Sequence, residues 1–452
     1  MNEMNNQKIV IVSGKRTPFL KCNTQFRNVD SAELAKIVIR DLIDELEISS
    51  DIIDTVILGT TNSSTSAINM ALESSIRAGL SGKVNASTIS KGFGSSIEAI
   101  TSAVERIQSG KASVVIAGGA DIISQTRVTL DEKLIEHFSE KKKSREKSIF
   151  KKIWKWILGF FRNDSKNLAQ IIKDEKSGVN PVTGDTFLQT GENLARRFDV
   201  KRREQDNFTL HSHLKIQRAI KENRFKREIT TTFAYPEFTE QAVDSCCKPN
   251  ISLQYLKKQT PVVDPLYGSV TLANSQQPCD GAAVVLLMTE ENANSLGLKH
   301  MGYIENYTFA TTDGYSENAD ELKNEGLTVV FAIEKLLSES NIRLNDIDLF
   351  EISEITAAHV LTYLKILKSK KLCSEILHRD AEIGEIPDDK INCNGGTIAI
   401  GNSAGASGVR LVISAVFEMA RNKQNLALIA SEIDGSQGVA LIIKNSGKTN
   451  GD

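Results

Sequence analysis

A helix-period stretch that runs directly into a buried-strand pattern occurs twice in this chain, about 310 residues apart. Ser95-Ser-Ile-Glu-Ala-Ile-Thr-Ser-Ala-Val104 passes through Gln108-Ser-Gly110 into Val114-Val-Ile-Ala-Gly-Gly119. Ala406-Ser-Gly-Val-Arg-Leu-Val-Ile-Ser-Ala-Val416 passes through Arg421-Asn-Lys423 into Leu426-Ala-Leu-Ile-Ala430. Two α/β halves of matching build, packed across a pseudo-twofold axis, account for the repeat. Chance similarity of two α/β units is the alternative that the pattern alone leaves open.

The rest of the chain follows the same grammar of apolar strand runs alternating with helix-period segments, which marks an α/β protein. Strands are expected at Ile9–Val12, Thr55–Leu58, Ser113–Ala117, Ser269–Thr271 and Ala282–Met288. Helices are expected at Ser31–Leu46 (capped by Ser31), Ile68–Ala78, Ser95–Gln108, from Asn193, and through Glu204–Glu222. With 452 residues there is enough chain for two or three domains. A net charge of −2 excludes a chain-wide polybasic nucleic-acid binder. Six cysteines without a CxxC pair argue against a disulfide framework or zinc ribbon and fit a reducing compartment. The leader Met1–Gln7 is polar and carries no signal-peptide pattern, so a cytoplasmic protein is expected; no metal is expected, since the cysteines lack ligand spacing.

Residues 132–178 break the grammar. Between Lys141 and Arg162 lie nine Lys or Arg against one acid, Glu146. Ile149, Ile153, Trp156 and Phe160, with Phe150, Trp154, Ile157 and Phe161, share one helical face, and Lys151, Lys152, Lys155 and Arg162 fall between them. Such a segment fits an interfacial helix on an anionic membrane, with Lys151, Lys152, Trp154, Lys155, Trp156, Phe160 and Phe161 as contacts. A helix packed on its own protein and a docking helix for a partner subunit are the other two readings.

Four further stretches carry a family resemblance. They are Val12-Ser-Gly-Lys-Arg-Thr-Pro-Phe19; Gly268-Ser-Val-Thr-Leu-Ala-Asn-Ser275 with Asp280-Gly-Ala282; Asn392-Cys-Asn-Gly-Gly-Thr-Ile-Ala-Ile-Gly401 with Gly405-Ala-Ser-Gly408; and Gly435-Ser-Gln-Gly438. Together they resemble the thiolase superfamily over nearly the whole chain, and most closely the β subunit of the fatty-acid oxidation multienzyme complex. The resemblance implies a five-layer αβαβα fold of two βαβαβαββ halves plus an inserted loop domain. Residues 1–124 and 261–290 would form the N-terminal half, 125–260 the loop domain, and 291–452 the C-terminal half. It also implies a dimer or larger oligomer, and in the multienzyme branch a membrane-associating insertion where 132–178 lies.

Thiolases make or break a carbon–carbon bond beside a thioester with four polar groups. A cysteine at a helix start accepts the acyl group, since a helix dipole and a nearby base favour thiolate. The histidine of Gly-His-Pro activates it, an Asn/His-Glu-Ala triplet supplies an oxyanion donor, and a second cysteine moves the α-proton. On the matching positions this chain has Phe93, Asn402 in Gly401-Asn402-Ser403, Ser353 in Ser353-Glu354-Ile355, and Glu432. Phe93 has no lone pair and Asn402 is no base near neutral pH. No cysteine lies within twenty residues of Phe93. Losing the nucleophile of a cooperative unit forfeits on the order of 10⁶ in rate. Thiolase chemistry is therefore expected to be gone while the scaffold stays.

Other polar residues near these positions are candidates to replace the missing groups. Ser95 and Ser96 follow Phe93 and serve either as nucleophiles or as helix caps. Glu432 beside a ligand tunnel can take a raised pKa and act as a base, or can simply be hydrogen-bonded or paired with Lys91 or Arg410. His211 and His213 face different directions on a helix, which disfavours a metal pair, and His359 follows Glu354 by about a turn. Asn274 and Ser275 match the loop that borders the pantetheine arm in thiolases. Gly395, Gly396 and Gly405 would let backbone approach CoA or an acyl-CoA, or else serve turns of the fold. The expected function is a structural or regulatory subunit in acyl-CoA metabolism, paired with itself, an α-subunit-like protein or an active thiolase. An acyl-CoA sensor and an enzyme of altered chemistry using Glu432 are the alternatives, with an active acetyl-CoA acyltransferase the least favoured.

Overall fold

The computed structural model describes residues 7–61, 68–125, 180, 184–234, 238–312 and 324–447. Through the first part of the chain run β1 (Ile9–Arg16), β2 (Leu20–Lys21), β3 (Thr55–Gly59), β4 (Asn85–Ile89) and β5 (Val114–Asp121). A short pair follows, β6 (Thr232–Ala234) and β7 (Thr239–Gln241). Then come β8 (Cys279–Thr289), β9 (Gly302–Thr311), β10 (Leu349–Ile352), β11 (Leu426–Asp434) and β12 (Gln437–Asn445). The main sheet has the order β10-β11-β12-β9-β1-β8-β5-β3-β4, with β2 beside β8. β3 is parallel to β4 and β5, and β10 is parallel to β11. The two halves meet where β1 pairs with β9, Val10 opposite Tyr303 and Ile11 opposite Gly302.

Layering follows from strands that are apolar on both faces. Along β8, Ala283, Val285 and Leu287 point into the central core, while Ala282, Val284, Leu286 and Met288 point into an outer one. In the other half, Ala427 and Ile429 of β11 join the same central core, and Leu428 and Ala430 join a second outer one. The central layer holds the two repeated helices, Ser95–Gln108 and Ser407–Asn422. Every residue of the latter from Ser407 to Met419 is buried, as befits a helix covered on all sides. Outside lie Ser31–Glu45 and Met70–Arg77 on one face, and Thr328–Ser340 and Ala357–Leu367 on the other. The order helix, sheet, helix, sheet, helix is the five-layer αβαβα architecture.

Three local expectations need correction. The first long helix is capped by Asp30, whose carboxylate accepts from Glu33 N, and Ser31 is already inside it. Ser269–Thr271 is not a strand, because the Ser269 and Val270 amides are both taken by the Glu192 carboxylate instead of a ladder. The helix expected from Asn193 begins earlier, at Phe187, under a Thr186–Gln189 capping box. Residues 132–178, with Lys151, Lys152, Trp154, Lys155, Trp156, Phe160 and Phe161, lie outside the described residues. Among those described, no helix is long and apolar enough to cross a membrane.

Candidate functional site

Phe93 sits on the turn that opens the central helix Ser95–Gln108. Gly92 makes that turn with φ +51°, and a Cβ there would stand 2.7 Å from the Ile433 carbonyl oxygen, so the position needs glycine. Phe93 N donates to that same oxygen at 3.1 Å. The Ser95 hydroxyl closes the turn, accepting from Lys91 N at 2.8 Å and donating to Gly92 O at 2.6 Å. Ser96 turns the other way and accepts from Val409 N at 3.2 Å, near the start of the second central helix. Both serines are buried in these bonds and neither lines the cavity in front of Phe93.

That cavity, about 350 Å³, forms where the Phe93 turn meets segments 276–278, 402–404 and 433–434. The Phe93 ring packs on Phe187, centroids 4.8 Å apart and planes at 43°. Ile123, Pro278 and Ile433 extend the apolar wall. Asn402 is fixed through its backbone, its N–H donating to Gln277 O and its carbonyl accepting from Cys279 N, both at 2.8 Å. Its amide makes no bond to protein among the described residues, and the buried Gln276 Oε1 likewise has no partner among them. The cavity therefore offers an apolar slot with two amide side chains free to serve a ligand. Among the described residues, its lining contains neither cysteine nor histidine.

The other matching positions lie apart from this slot. Glu432 is 1% exposed and accepts from Tyr363 Oη at 3.1 Å, while its second oxygen has no partner among the described residues. Burial raises its carboxyl to about 8. Its neighbours Ile433 and Asp434 line the cavity, but Glu432 does not. The partners expected for it are engaged elsewhere: Lys91 with Glu98 at 2.6 Å and Arg410 with Glu351 at 3.3 Å. Ser353 is held by its amide to Ala430 O. Glu354 beside it accepts from Ser212 Oγ, Asn392 Nδ2 and Ile398 N, and so ties the loop at 392–398 to the helix Arg202–Lys221. His359 is a core residue, its Nδ1 2.9 Å from Thr356 Oγ1 and its pKa pushed down by burial to about 3. His213 is buried and accepts from Lys248 N, whereas His211 is exposed.

The residues matched to CoA binding are occupied by the fold. Asn274 is fully buried, accepting from Thr271 N and donating to Ser269 O and Gln205 Oε1. The Ser275 hydroxyl donates to Thr271 O at 2.7 Å. A Cβ on Gly396 would overlap the Glu354 carboxyl, and one on Gly395 would press on Ser212 and Ile216. Gly405 donates its N–H to Asp121 Oδ2 at 2.6 Å, in a contact too tight for a side chain. Sequence reasoning missed Phe187, Gln276 and Tyr363. They come from segments distant in the chain, and no local pattern marks them.

Two family models match the chain, the thiolase N-terminal domain over residues 9–291 and the thiolase C-terminal domain over 307–445. A 3-ketoacyl-CoA thiolase of Colwellia psychrerythraea is 30% identical, covering 97% of both chains. A probable 3-ketoacyl-CoA thiolase of Caenorhabditis elegans is 30% identical over 98% of this chain and 95% of its own. Among solved structures, the acetyl-CoA acetyltransferase of Bacillus anthracis superposes with a TM-score of 0.80 at 26% identity, covering 97% of this chain and 99% of that one. Human mitochondrial 3-ketoacyl-CoA thiolase in complex with CoA superposes with a TM-score of 0.77 at 25% identity, covering 97% and 98%.

Proposed function

Starting from a chain that belongs to the thiolase family, we propose that it binds acyl-CoA without carrying out the acyl transfer, and acts as a structural or regulatory subunit in acyl-CoA metabolism. The observation that carries this reading is the cavity at the start of the central helix. Where covalent catalysis needs a thiolate and a base within hydrogen-bond reach, the wall presents Phe93, Phe187 and Asn402. A slot of about 350 Å³ lies in the ordinary range for ligand pockets and suits an apolar acyl segment. The thioester oxygen would find a donor in the free Asn402 side-chain N–H, and Gln276 Oε1 would accept from an N–H or O–H of the ligand. A solved relative described in complex with CoA supports the ligand class.

The deciding experiment is a thiolysis assay with a 3-ketoacyl-CoA and CoA, beside calorimetric titration with CoA and acyl-CoAs. The expected result is binding with turnover lower than an active enzyme's by on the order of 10⁶. Turnover within about a hundredfold of ordinary kcat values, 1–10³ s⁻¹, would overturn the proposal and make the chain an acyltransferase. Absence of any binding would leave the structural role and remove the ligand.

The cationic aromatic stretch at 141–162 supports a second part of the reading, docking on an anionic membrane with an α-subunit-like or thiolase partner. Co-sedimentation with phosphatidylserine vesicles should exceed that with neutral vesicles. Joint substitution of Lys151, Lys152 and Lys155 by Gln should abolish the difference.

A further inference from the structure

Behind the segment that carries Asn402, two buried thiols from separate parts of the chain touch. Cys246 Sγ and Cys279 Sγ are 3.1 Å apart. A disulfide needs about 2.05 Å, so closing the bond asks for an approach of about 1 Å. Among the described residues no third ligand completes a metal site around them. Either thiol can donate to the other's sulfur across this contact, and with Cys246 as the acceptor its pKa is held down while that of Cys279 is pushed up. What separates an attacking sulfur from a resolving one is access to the reagent.

The attacking sulfur also has an entrance. Cys279 is fully buried, whereas Cys246 lines a surface pocket of about 430 Å³ distinct from the Phe93 cavity. Lys21 and Lys248 stand in the same wall, with Cys247 and Gln277 beside them. Two ammonium groups around a thiol suit a reagent that carries carboxylates. We propose that Cys246 and Cys279 form a redox modification site, oxidised through this pocket by an anionic low-molecular-weight disulfide of the glutathione class.

The reaction balances in two exchanges. The Cys246 thiolate attacks one sulfur of RSSR; the mixed disulfide forms, RS⁻ leaves, and it takes up the proton that Cys246 gave to solvent. Cys279 then loses its proton, attacks Cys246 Sγ and expels the second RS⁻, which takes that proton. Two protein thiols are oxidised, one RSSR is reduced to two RSH, and no other reactant enters. The bond would form directly against the site segment: Gly401, at φ +105°, lies so close to both sulfurs that a Cβ there would overlap Cys279 Sγ, and Cys279 N donates to Asn402 O.

The test treats the full chain with glutathione disulfide, blocks the remaining thiols by alkylation, and maps the chain by mass spectrometry without reduction. The expected product has lost the mass of two hydrogens and yields one linked peptide pair containing Cys246 and Cys279. In Cys279→Ser the reaction should stop with one glutathione on Cys246, and in Cys246→Ser neither product should form. Cys22→Ser and Cys247→Ser should react like the wild type. Glutathione found on Cys22 or Cys247 while Cys246 and Cys279 are both alkylated would overturn the assignment, as would a wild-type chain that does not react. The wild-type map decides the proposal even if a serine variant fails to fold.

Discussion

A carboxyl sealed in the interior must either keep a cation beside it or give up its charge. Glu432 has Tyr363 as its hydrogen-bond donor and the acids Glu325 and Asp434 among its electrostatic neighbours. With its carboxyl raised from the ordinary 4.5 to about 8, the folded state holds a proton that the unfolded chain releases. Its contribution to stability is therefore complete below about pH 4.5 and is lost as the pH rises through about 8. Glu432→Gln, which imitates the neutral acid, should stabilise the protein at pH values near 8 by on the order of 1–3 kcal/mol and leave it unchanged in acid. Urea denaturation of both proteins across that range measures the difference. The same sealing removes Glu432 from the list of bases that a ligand in the Phe93 cavity could meet, because the side chain does not reach that wall.

Between elements, the first central helix caps the second. The residue before each helix supplies no side-chain cap, Gly94 in one and Ala406 in the other. The Ser96 hydroxyl of the first takes up the Val409 N–H of the second, one of the orphan donors of a helix start. Ser96→Ala should therefore cost about 1 kcal/mol of stability without touching ligand affinity, read as a lower urea midpoint with unchanged calorimetry. A nucleophilic Ser96 would instead show its loss in turnover. Strand packing is tighter still: a Cβ on Gly119 of β5 would overlap the Gly405 carbonyl oxygen. Gly119→Ala should fail to give soluble folded protein, as judged by expression and circular dichroism.

Across the molecule, Arg16 joins chain segments more than 200 residues apart. Fully buried at the end of β1, it donates through Nε to Glu228 at 2.9 Å and through both terminal nitrogens to Asp244 at 2.7 and 2.9 Å. The Phe19 amide donates to the same Asp244 carboxylate, so the cluster fixes the returning segment against the first strand. Breaking such a pair leaves uncompensated buried charge, and Arg16→Ala should cost about 3–5 kcal/mol in urea denaturation. Asp244 lies two residues before Cys246, so this anchor also holds the thiol pair in place.

The repeated helix-and-strand unit and the apolar strand runs made an α/β chain of two matching halves legible, because periodicity states locally which face of an element must be buried, whereas the five-layer arrangement followed from the resemblance of four stretches to thiolases. The helix at Ser95–Gln108 was legible for the same reason, and Phe93 at its start drew attention only through the motif that resembles the family's. What periodicity does not encode is the partner. Phe187 on Phe93, Tyr363 on Glu432, Cys246 on Cys279 and Glu192 on the Ser269–Val270 amides are contacts between segments that meet only after folding. Asn274, Ser275, Gly395, Gly396 and Gly405, the expected CoA contacts, also brace the fold, since a buried polar or glycine position satisfies whichever neighbour the packing brings to it. Sequence determined the scaffold and which residues stand in its motifs; only the tertiary structure decided what surrounds them, because those contacts join segments distant in the chain.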